Sequence, residues 1–125
     1  MKYAGIDYGG KRTGIALSDS GGKFAFPHSV VSTNKFFDVL KELVDKEEIQ
    51  SVIIGDSKDF NMEDNEIMEE VNKFVERWKK ETDVHIEMYP EFMTSQMARR
   101  IAADDDMHDA RAAALILQGY LDSRG

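Results

Sequence analysis

No cysteine occurs in the 125 residues. Disulfides, zinc–thiolate centres and cysteine nucleophiles are therefore excluded. Histidine is sparse, with three residues, so imidazole-rich zinc sites are a poor fit as well. No apolar run approaches the roughly 18 residues expected of a membrane-spanning helix. The opening "MKYAGIDYGG" has none of the apolar core of a secretory signal. A reducing, cytoplasmic setting is the expectation. Basic charge is also short, and the net charge is -8. Residues 1–58 hold 8 Lys+Arg against 8 Asp+Glu, whereas 59–125 hold 8 against 16. Such a balance argues against binding nucleic acid through a broad basic surface. It leaves room for a local basic patch, or for a metal ion that reverses the local sign.

What is present describes a globular chain: 42% hydrophobic, 32% charged. Its length suits a single domain over 1–125. "MKYAGIDY" and "RTGIALSD" read as strands joined by a glycine-punctuated hairpin. "KFAFPHSVVST" reads as a third strand, with Pro27 marking an edge or a bulge. The period then changes to helical. Phe36, Phe37, Leu40, Leu43 and Val44 share a stripe, with Asn34 as the expected cap. "SVIIG" (51–55) suits a buried parallel strand, and "DSKDFNMEDN" a polar loop. Ile67, Val71, Phe74, Val75 and Trp78 define a second helical stripe. "VHIEMY" (84–89) alternates as a strand that Pro90 should end near a sheet edge. "TSQMARRIAA" and "DARAAALILQGYLDS" read as two further helices. The order βββαβαβαα predicts an α/β fold, a mixed five-stranded sheet flanked by helices. Right-handed crossovers set the spatial order at 3-2-1-4-5.

One residue is out of place in this pattern. Asp7 lies within the central strand, where an ionised carboxylate needs a partner. It could pair with Lys11 or Arg12, meet water at the sheet's end, or hold a metal. Glu91 follows the fifth strand, which reaches the same carboxyl end, where open α/β sheets place their sites. Asp109 begins the helical face completed by Ala112, Ala113, Ile116, Leu117 and Tyr120, and so points inward with an apolar stripe. Asp106 can reach the same side, although an N-cap explains it more simply. Three or four carboxylates meeting at one end of the sheet would fit Mg²⁺ or Mn²⁺. Two such ions would clamp the oxygens of a phosphodiester.

"GIDYGGKRTGIALSD", the glutamate before "MTSQMARR", and "HDARAAALILQGYL" resemble the YqgF (RuvX) family. That family is described as pre-16S rRNA nucleases and as Holliday-junction-resolvase-like. The resemblance runs over nearly the whole chain. It implies an RNase H-like fold and a metal-dependent nuclease trimming the 5′ end of precursor 16S rRNA. Its acids fall on Asp7, Glu91 and Asp109, with Asp106 a possible fourth ligand lacking a firm counterpart. Two departures bear on substrate grip and leave the acids intact. "GDSKDF" stands where the family usually has Gly-Leu-Pro after its fourth strand. Pro90, Glu91 and Phe92 stand where it commonly has Asp-Glu-Arg.

Lys11 and Arg12 on the hairpin, with Arg99 and Arg100, are the candidate phosphate contacts; as surface cations they are solvated about as often. Thr94 and Ser95 suit a phosphate at a helix N-terminus, though capping explains them more simply. His108 alone among the histidines lies near the acids. The Phe36, Phe37 and Trp78 stripes read as core. Two rivals to the rRNA nuclease keep the same fold: a non-catalytic nucleic-acid or ribosome-assembly binding module, and a DNA endonuclease acting on branched DNA. A third is a nucleotide-binding domain, because "GIDYGGKRTG" resembles the first phosphate loop of actin-like ATPases; their second domain does not fit in this length.

Overall fold

A computed structural model describes residues 1–56, 65–90 and 108–124. Strands β1 (Tyr3–Asp7), β2 (Arg12–Ser18) and β3 (Ala25–Ser32) form an antiparallel meander. Helix α1 (Thr33–Glu47) leads to β4 (Ser51–Asp56), and α2 (Asn65–Glu81) to β5 (His85–Pro90). Helix α3 (His108–Arg124) follows. The sheet order is β3-β2-β1-β4-β5, with β4 parallel to both β1 and β5. This is the order that short, right-handed connections dictate. The expected helix over "TSQMARRIAA" lies outside the described residues.

Strand alternation divides the core into two. On one face Ala4, Ile6, Ile15, Val52, Ile54 and Ile86 pack against α1 and α2. All five residues of the α1 stripe are buried there, as are Val71, Phe74 and Trp78 of α2, with Val75 half-buried. Burying each such side chain fully contributes about 1.5–3 kcal/mol. The indole of Trp78 donates to the Val84 carbonyl at 3.0 Å, satisfying its one polar atom. On the other face Tyr3 and Ile53 meet Leu117, Tyr120 and Leu121 of α3.

Two details differ from expectation. The α1 N-cap is Ser32, not Asn34, because the helix begins directly at Thr33. Glu48 ends α1 in the left-handed conformation, φ 56, which lets the following Ile49 N–H reach the Val44 carbonyl at 3.0 Å. Pro27 lies on the edge strand β3 beside a register shift opposite Ile15 and Ala16, as a residue without an N–H should. Pro90 closes β5.

Candidate active site

The site is built on the β1–β2 hairpin. Thr13 is buried on β2, and its hydroxyl lies 2.9 Å from that of Thr33. The Thr33 hydroxyl donates to the Gly9 carbonyl at 2.7 Å. Its one proton is thereby used, so Thr13 must be the donor between the two threonines. Thr13 also accepts from the Gly9 N–H at 3.5 Å, and the Thr33 N–H donates to the Lys11 carbonyl at 3.0 Å. These bonds tie the glycine turn to the first residue of α1. The end of β1 is thus fixed by polar contacts as well as by its strand neighbours.

Asp7 is the last residue of β1 and is 5% exposed. It shares the α3 face with Tyr3 and Gly5, and its cross-strand partner is Gly14. At Gly14 helix α3 comes down onto the sheet: a Cβ there would collide with the Asp109 carbonyl. At Gly5 an added Cβ would lie 2.6 Å from Leu117 Cβ. Gly5 on β1 and Gly14 on β2 therefore let the helix backbone approach both strands directly. This approach brings the first turn of α3, which contains Asp109, to the residue opposite Asp7.

Asp7 and the Asp109 backbone thus lie at one end and on one face of the sheet. Asp109 is half-buried, its side chain 18% exposed, and Arg12 Nε stands 3.8 Å from its carboxylate. Arg12 of the hairpin thus reaches across to α3. Arg12 is 66% exposed in its side chain, so the contact contributes little, about 0–1 kcal/mol. Lys11 is exposed at the hairpin tip. Glu91, Asp106, Arg99 and Arg100 lie outside the described residues, as do Thr94 and Ser95. Among the described residues no group of three or more His, Asp or Glu side chains gathers to hold a metal. Asp7 and Asp109 offer carboxylate oxygens alone, the donor type that Mg²⁺ and Mn²⁺ take.

Sequence reasoning missed the Thr13–Thr33 tie and the glycine seats. A glycine inside a strand pattern is itself a signal of close backbone approach. Tyr8 was also passed over. It follows Asp7 on the opposite face, half-buried against Phe36 and Phe74. Burial, reinforced by the Glu70 carboxylate, pushes its phenol above the usual tyrosine value, so it keeps its proton at neutral pH.

A family model described as RuvX, Holliday junction resolvase, matches residues 1–123. The chain belongs to the RuvX family. A relative from Nitratidesulfovibrio vulgaris, named "Putative pre-16S rRNA nuclease", is 34% identical over 127 residues, covering 99% of this chain and 86% of its own. One of the same name from Lawsonia intracellularis is 36% identical over 138 residues, covering 98% and 94%. RuvX relatives are thus named as nucleases. Two solved structures share the fold. Thermus thermophilus RuvC bound to a Holliday junction has TM-score 0.65 at 21% identity, covering 99% of this chain and 96% of its own. Fowlpox virus resolvase, also with a Holliday junction, has TM-score 0.62 at 10% identity, covering 99% of both chains. The five-stranded sheet of this RuvX chain is accordingly RNase H-like.

Proposed function

We propose that this chain is a divalent-metal-dependent nuclease that hydrolyses phosphodiester bonds, with the 5′ end of precursor 16S rRNA as its substrate. The observation that carries the reading is the seating of Asp109 on Gly14, directly across from Asp7. It gives the RuvX fold a carboxylate pair at the end of its central strand. The names of the relatives support precursor 16S rRNA as the substrate class. Asp7 and Asp109 are the ligands, with Glu91 and Asp106 as the further acids. A cation held by these oxygens would supply Lewis-acid charge at the phosphoryl group and lower the pKa of an attacking water. Burial of Asp7 and the tied hairpin hold the carboxylate in one orientation, so its charge needs little reorganisation during reaction. Lys11 and Arg12, exposed on the hairpin, are the phosphate contacts, with Arg99 and Arg100 as further candidates.

The test is hydrolysis of a labelled RNA carrying the precursor 5′ leader, with Mg²⁺ or Mn²⁺ and with chelator. Asp7→Asn should lower the rate on the order of 10²-fold or more. Equal rates for the two proteins would remove Asp7 from the chemistry.

The Arg12–Asp109 contact favours one second reading, a binding module without catalysis, because the guanidinium partly answers the carboxylate's charge. Calorimetry decides between the two. Retained RNA affinity with no heat of Mn²⁺ binding would select the module.

A further inference from the structure

Beneath the end of β1, on the face opposite α3, helices α1 and α2 leave a groove of about 280 Å³. Its rim carries Tyr8, Asn34, Glu70, Lys73 and Arg77, and Phe36 lies in its floor. We infer that this groove is a subsite for one unpaired nucleotide of the substrate strand, with the base against Tyr8 and Arg77 and the phosphate toward Lys73. The inference rests on the nuclease reading and adds the strand state that the site takes.

Position is the first argument. Tyr8 follows Asp7 directly, and strand alternation sends the two side chains to opposite faces. A strand lying over the end of β1 therefore has the carboxylate on one side and the groove on the other. The second argument is the rigidity of the exposed surfaces. Tyr8 stands edge-on to Phe36 with ring centroids 6.0 Å apart, and 6.2 Å from Phe74. Those two phenylalanines are buried, so they hold the tyrosine ring rather than meet a ligand. The Arg77 guanidinium lies 3.7 Å from the centre of the Phe37 ring, and its Nε donates to Glu81 at 2.7 Å. Contact with the ring and the ion pair fix that plane. Rigid tyrosine rings and guanidinium planes are the platforms on which unpaired bases stack. A duplex keeps its base faces to itself and gains nothing from them.

Charge and polarity are the third argument. Lys73 and Arg77 face the single rim acid Glu70, although Arg77 also answers Glu81. These four charges balance, so a phosphate there meets no net repulsion in a chain of net charge -8. The Asn34 amide, the Tyr8 hydroxyl and the Glu70 carboxylate offer both donors and acceptors to a base edge.

Binding is read by fluorescence anisotropy in chelator, with a short labelled single-stranded RNA and its blunt duplex. Lys73→Glu and Arg77→Gln change exposed positions. Each should weaken single-strand binding about tenfold and leave duplex binding as it was. A 4-thiouridine-bearing RNA should form its photoadduct at Tyr8 in the wild-type protein. That readout stands even if the Arg77 variant fails to fold. Unchanged affinity in Lys73→Glu with adducts only elsewhere would overturn the proposal, as would equal affinity for duplex. Equal affinity for 4-thiouridine monophosphate alone would assign the groove to a free nucleotide and overturn it too. Because no divalent ion is present, binding is separated from hydrolysis. RNA that binds in the groove but is never cut removes the nuclease reading alone; RNA that is cut while the groove stays silent removes the subsite alone.

Discussion

Gly14 is where one absent methyl group decides how a helix sits. Any Cβ there would occupy the space of the Asp109 carbonyl. Gly14→Ala must therefore lift α3 or bend β2. Overpacking of this kind costs about 1–3 kcal/mol, to be read from urea unfolding. The same shift carries Asp109 away from Asp7, so the hydrolysis rate should fall although neither acid has changed. Gly119→Ala is the comparison: its added Cβ would lie 3.3 Å from the Tyr89 ring, which can give slightly, so the loss should be smaller. Thr13→Val removes a buried hydroxyl and leaves the Gly9 N–H without that acceptor. It should cost about 1–3 kcal/mol. If the hairpin tie serves the site, kcat should fall further than stability alone explains, with Thr13→Ser restoring it.

At the scale of elements, the residues that announced themselves were those with a period. The stripe from Phe36 to Val44 reads as one helical face because each member is apolar at 3.6-residue spacing, and all are buried. The ends were harder to read. Asn34 is a good capping residue by type, yet Ser32 and Thr33 already begin the helix. Glu48 gives no stop signal at all, because glycine is the usual residue at φ 56. Glu48→Gly relieves that strain and should raise stability by about 1 kcal/mol in chemical unfolding. The β2–β3 turn carries its own acid. Asp19 accepts the Lys23 N–H at 2.8 Å and the Phe24 N–H at 3.0 Å, and these bonds hold its carboxyl below the usual value. A lowered folded-state pKa stabilises at pH above the unfolded value of about 3.9 and stops doing so as pH falls through the folded one. Asp19→Ala should thus lower the melting temperature at neutral pH, and the gap to wild type should close in acid.

For the whole molecule, sheet order was legible because the handedness of crossovers leaves few choices once βββαβαβ is read. The site was legible only in part. Asp7 stood out as a charge inside a strand and Asp109 as a charge on an apolar helix face. No local pattern links Arg12 to Asp109, because a contact between a hairpin and a distant helix exists only after folding. The same global view governs how nucleic acid should bind. The chain carries a net charge of -8, and Lys11, Arg12, Lys73 and Arg77 lie near the end of β1 or on the groove beneath it. A strand held there meets few cations. Each phosphate contact to single-stranded RNA contributes about -0.7 to the slope of log K against log salt, so four to six contacts, counting Arg99 and Arg100, give roughly -3 to -4. Anisotropy titrations across a salt series should return that shallow slope, and Lys73→Glu should flatten it further. A slope of about -6 or steeper would require an extended basic surface, which would move RNA binding away from the end of β1 and, with it, from Asp7.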